Sequence, residues 1–181
     1  TEPDTPIWQA TSDGSGLQHL VSGYICPAEQ NGFLLTGEED FPGLGRGNDV
    51  ACIFRAAEGG NVKLHLTNFG REVPPSAHLK GVQTSLTDAG EILSEAAIPP
   101  LRDSSVQFNA AAYRIDAISA LRPEVPVHTA VWITQIGAWH VKARATYEAD
   151  RTTQIGDFIS TLQDTAKATI SSQPHPSPPQ R

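Results

Sequence analysis

The stretch from Trp139 to Tyr147 alternates without a break between apolar or small side chains (Trp139, Val141, Ala143, Ala145, Tyr147) and polar ones (His140, Lys142, Arg144, Thr146). That period of two is the signature of a β-strand. Upstream lie Gly137-Ala138 and a second strand-like run, Val127 to Ile136, and a Gly-X pair between two such runs signals a two-residue hairpin. A two-residue turn pairs Ile136 with Trp139. Trp132 and Trp139 then share one face of the sheet, while Val131 and Ile133 join His140, Lys142 and Arg144 on the other. Both faces carry apolar side chains, so both need cover. This predicts a three-layer sandwich with one helix per face, or a helix opposed by a long loop. A turn one residue longer would shift the register and leave Trp132 beside Lys142 and Arg144 as an exposed binding surface.

Other segments extend this frame. Gly32–Thr36 and Val50–Phe54 are short apolar runs, and Val62–Thr67 alternates, with Val62, Leu64 and Leu66 opposite Lys63, His65 and Thr67. The last two are joined through Gly59-Gly60 as a hairpin. After Pro74-Pro75, Ser76 is placed to cap a helix over 76–98, whose Leu79, Val82, Leu86, Ala89, Leu93 and Ala96 recur at helical spacing. Gly81 and Gly90 each weaken it by about 1 kcal/mol relative to Ala, so it depends on packing. A second helix, over 152–171, starts at Thr152 or Thr153 and carries Ile155, Phe158, Ile159, Leu162, Ala166 and Ile170 on one stripe. The order predicts an α+β fold, an antiparallel sheet packed by two helices. The 181 residues suit a single domain, 17–172, between a flexible N-terminal segment, 1–16, and a Pro-rich disordered tail, 173–181.

Composition narrows the partners. A formal net charge of −7, with no basic cluster beyond Lys142 and Arg144, disfavours nucleic acid. No apolar run approaches the roughly 20 residues that span a bilayer. The chain has no methionine, even at Thr1, and only two cysteines, Cys26 and Cys52. These suggest a chain that starts after a removed leader or at a boundary within a longer sequence, and one structural disulfide in an oxidising compartment, periplasmic or secreted. The alternative for the thiols is a pair of buried, inert side chains.

Gly23-Tyr-Ile-Cys-Pro27, Gly32-Phe33, Asp49-Val-Ala-Cys-Ile-Phe54 and Ala138-Trp-His-Val-Lys-Ala-Arg-Ala-Thr-Tyr147 resemble small exported bacterial proteins of unassigned function. The order of strands and helices is similar to the PsbP-like α/β/α sandwich. That resemblance, over roughly Leu20 to Ser171, implies the fold and a binding or assembly role rather than catalysis. It carries over no catalytic residue.

Candidate chemistry is sparse. The loop Phe41-Pro-Gly-Leu-Gly-Arg-Gly-Asn-Asp49 could form an anion nest with Arg46, or gather Asn48 and Asp49 with Glu38, Glu39 and Asp40 around calcium; its plain reading is a turn-rich entry to the Val50 strand. The hairpin puts His128 and His140 on opposite faces, and the histidines read as solvated or capped surface groups. No metal site and no cofactor is expected. Trp132, Lys142 and Arg144 are candidates for binding a partner, the cations for an acidic one; the alternative for the tryptophans is core packing. These readings favour an exported, non-enzymatic domain that binds an envelope protein or a small ligand. Two alternatives stand beside it: a hydrolase-like enzyme combining His140 or His65 with Asp49, and a purely structural accessory domain.

Overall fold

The computed structural model describes residues 6–102 and 107–170. Three short strands, β1 (Trp8–Ala10), β2 (Gly16–His19) and β3 (Ile25–Pro27), form a small antiparallel sheet. A larger antiparallel sheet contains β4 (Glu29–Gln30), β5 (Phe33–Asp40), β6 (Asp49–Ala56), β7 (Asn61–Thr67), β8 (Ile92–Glu95), β9 (Asn109–Ile118), β10 (Pro126–Ile136) and β11 (Trp139–Glu148). Its strand order is β4-β5-β6-β7-β11-β10-β9-β8. Two meanders, β4 to β7 and β8 to β11, therefore meet along the β7·β11 seam. Helix α1 (Pro75–Asp88) connects them, and α2 (Thr152–Ile170) follows the last strand.

The two-residue hairpin holds. Ile136 pairs with Trp139 across Gly137-Ala138, and Gly137 takes φ 58°, as the first turn position of a type II′ hairpin requires. The register then runs unbroken to Val127 opposite Glu148. Trp132 (1 % exposed) and Trp139 (7 %) lie together in the core under α2, with Val62, Leu64, Phe158 and Leu162. On the opposite face α1 packs over β9 and β10, and Leu86 joins a second cluster with Tyr113, Ile115 and Val127. One helix thus covers each face of the sheet.

Three expectations change. The helix predicted over 76–98 ends at Asp88, because Gly90 adopts φ 70° just beyond the C-cap Ala89, the left-handed stop that glycine favours. The apolar spacing continues through Leu93 and Ala96 only by coincidence, and Ile92–Glu95 instead pairs with β9. Ser76 does not cap α1; Pro74 occupies that position with no side-chain cap, and Pro75 fills the first turn. Finally, the segment 1–16 is not wholly loose. Trp8 pairs with His19 and Ala10 with Leu17, around a turn in which Ser15 N–H donates to Asp13 Oδ1, and Ile7 and Trp8 pack against the main core. The tail 173–181 lies outside the described residues.

Cys26 of β3 and Cys52 of β6 form a disulfide, Cα atoms 6.4 Å apart. Both are buried. The bond fastens the small sheet to the large one, and closing a loop of this size is worth roughly 3 to 4 kcal/mol through the unfolded chain.

Candidate functional site

Antiparallel pairing of β7 with β11 places Arg144 opposite Lys63, Lys142 opposite His65 and His140 opposite Thr67. All of these side chains belong to the sheet face that α1 covers, because the alternating apolar set of each strand points into the α2 core. Two cations directly across a strand pair are unfavourable unless something compensates them. Partial compensation comes from the rim: Lys63 Nζ lies 2.7 Å from Glu39 Oε2, and Arg144 Nη2 lies 3.6 Å from Glu91 Oε2. Lys142 is half-buried and has no such partner among the described residues.

Helix α1 stands away from this part of the sheet and leaves a cavity of about 570 Å³. The floor is polar, with Lys63, His65, Lys142, Arg144 and Thr146; the α1 wall is formed by Val82, Ser85, Leu86 and Ala89. Phe41, from the turn after β5, closes one side. Its ring stacks on His65 (centroids 5.7 Å, 19° between planes), and the Lys63 ammonium lies 6.0 Å from its centre.

The electrostatics follow from burial among like charges. Burial, reinforced by Lys142 and Lys63, holds the His65 imidazole down to about 2, so it is neutral in the folded protein. Lys142 is also lowered, by burial first; Asp49 opposes this, and Arg144 and Lys63 add to it. A low-dielectric pocket penalises a cation without a counter-ion.

Beyond the cavity, α1 is clasped to the sheet by histidine. His78 Nδ1 and His140 Nδ1 are 3.0 Å apart, and Phe69 meets both rings edge-on at 5.3 and 5.0 Å. One nitrogen must donate and the other accept. Burial lowers both, His78 to about 4 with Lys142 contributing.

Of the candidates read from sequence, Lys142 and Arg144 come together on one wall. Trp132 does not join them: it is buried on the opposite face, so a partner could reach it only by opening the core. Asp49 accepts a hydrogen bond from Thr67 Oγ1 at 2.8 Å and stands outside the cavity wall. Arg46 is exposed in the Gly-rich loop, where Gly47 N–H donates to Asp40 Oδ1. Among the described residues, no hydrogen bond joins His65 or His140 to Asp49, and no group of three or more metal-ligating side chains is assembled. The histidines among the described residues are buried or half-buried, not the solvated groups expected; His175 lies outside the described residues. His19 is fully buried against Trp8 and Trp139 and bonded to Ser22 Oγ, and His140 is 2 % exposed.

Sequence reasoning missed Lys63, Phe41 and the α1 wall. Their signal was present in the polar face of the Val62–Thr67 alternation, but nothing local says that this strand pairs with β11. No family model, curated protein or solved structure matches the chain.

Proposed function

We propose that this chain is an exported, non-enzymatic binding domain, a PsbP-like sandwich whose ligand site is the cationic cleft between α1 and the sheet. The observation that carries this reading is the convergence of Lys63, Lys142 and Arg144 on one cavity in a chain whose net charge is −7. Gathering like charges opposes folding; an anion in the cleft reverses the sign of that contribution. A volume of about 570 Å³ suits a small ligand, since such sites span roughly 300 to 1,000 Å³. The Cys26–Cys52 bond supports an oxidising compartment, and no helix among the described residues is long and apolar enough to cross a membrane.

A thermal-shift screen against small organic and inorganic anions tests the proposal. A ligand at about a hundred times its Kd stabilises by about 2.7 kcal/mol, a rise of roughly 5 to 10 °C for a chain of this size. Added salt is expected to weaken the effect, and Arg144→Glu to abolish it. If no anion shifts the midpoint, the cleft is not the ligand site.

A further inference from the structure

The cleft is two-sided, and its charges can be counted. Each cation on the floor except Lys142 has a carboxylate within 4 Å: Lys63 has Glu39, and Arg144 has Glu91. Asp49 lies within electrostatic range of Lys142, but its carboxylate is held by the Thr67 hydroxyl and does not line the cavity. His65 adds no charge, because it is held neutral. One positive charge therefore lacks a partner at the wall, and one negative charge complements it. The roof is of different chemistry. Val82, Leu86 and Ala89 present aliphatic surface, and Phe41 aromatic surface, which only an apolar body rewards.

We propose that the cleft takes a small amphipathic monoanion, a carboxylic acid with a compact apolar body, seated with its carboxylate on Lys142 and its body against Val82, Leu86 and Phe41. This deepens the anion-site reading above and rests on it. A dianion or an inorganic phosphate would leave a second negative charge facing Glu39 and Glu91 and would leave the α1 wall uncovered. A neutral ligand of the same shape would fill the roof but leave the Lys142 ammonium uncompensated. Discrimination against either is worth a hydrogen-bonded charge in a desolvated site, about tenfold or more in affinity.

Calorimetric titration of the full chain at low salt and neutral pH, with naphthoate, naphthol, succinate and inorganic phosphate, tests this. Naphthoate is expected to bind one-to-one and at least about tenfold more tightly than the other three. Lys142→Met should erase that advantage over naphthol. Ala89→Glu, at the exposed C-cap of α1, sets a carboxylate on the wall; it should weaken naphthoate similarly and gives a second arm should Lys142→Met fail to fold. If succinate or phosphate binds as well as naphthoate and depends on Lys142, the anion site stands and the amphipathic monoanion is overturned. Equal binding of naphthol and naphthoate overturns it too, by removing the role of charge. Should none of the four bind, both readings fall together.

Discussion

At the scale of single residues, Lys142 shows most clearly where the proposed anion site and stability conflict. It is half-buried, faces two other cations and has no ion-pair partner among the described residues. Replacing an uncompensated buried charge with an apolar side chain of similar length is commonly neutral or favourable. Lys142→Met is therefore expected to stabilise the ligand-free protein by about 1 kcal/mol, a rise of roughly 2 to 4 °C in the thermal midpoint, while losing anion affinity. A fall in the midpoint would mean that Lys142 contributes to the fold itself. Glu148 is the contrasting case. It is equally polar and nearly fully buried, but its carboxylate accepts hydrogen bonds from Arg122, Arg151 and Ser119, which hold it down to about 2. Its charge is compensated where Lys142's is not.

Among the elements, α2 and α1 are anchored very differently. Helix α2 buries Ile155, Phe158, Ile159, Leu162 and Ala166 completely or nearly so, and Phe158 stacks on Phe33 at 4.3 Å. It also receives the chain that returns from β8: Arg102 N–H donates to Ser160 Oγ at 3.0 Å, and a Cβ at position 156 would overlap the Pro100 carbonyl oxygen. Helix propensity alone favours Gly156→Ala by about 1 kcal/mol. Overpacking against backbone costs about 1 to 3 kcal/mol, and it wins. The substitution should lower the urea midpoint, and a stabilised variant would show that the 99–102 segment yields easily. Helix α1 buries only Leu86 and has no side-chain cap, so its docking leans on the His78–His140 contact, on the hydrogen bond from Gln83 Nε2 to Tyr113 OH and on that one apolar cluster. A lightly anchored helix over a cavity is among the first elements expected to open locally.

For the whole molecule, the buried histidines set the response to acid. Burial lowers His19 and His78 from 6.5 to about 4, and His65 to about 2. As pH falls, the unfolded chain takes up these protons before the folded one. Their contribution is therefore complete above 6.5, drains between 6.5 and about 4 for His19 and His78, and continues downward for His65. Glu148 is lost only below 4.5; above that the decline belongs to the imidazoles, with His128 and His140, also lowered by burial, adding to it and Asp49, raised by burial, opposing it. Urea midpoints measured across that window are expected to decline steadily. A flat profile there would mean that these rings are solvated enough to titrate normally.

What was legible in the chain was its local periodicity. The alternation from Trp139 to Tyr147 and the Gly137-Ala138 turn determine the register of β10 on β11, hence the paired tryptophans in the core and the need for a layer on each face. The stripe from Ile155 to Ile170 likewise determines α2, because each signal lies within a few residues and depends only on backbone geometry. The end of α1 was present in Gly90 but masked by apolar residues that continued the helical spacing by chance. The hairpin of β1 and β2 was masked by its polar turn. The cleft is different in kind. It exists because β7 pairs with β11 across a helix and three strands, bringing Lys63 and His65 against Arg144 and Lys142, and because α1, packed on β9 and β10, lines the cavity without closing on that seam. Which strand becomes whose neighbour is decided by the burial of every strand at once, and no segment of the sequence encodes it alone.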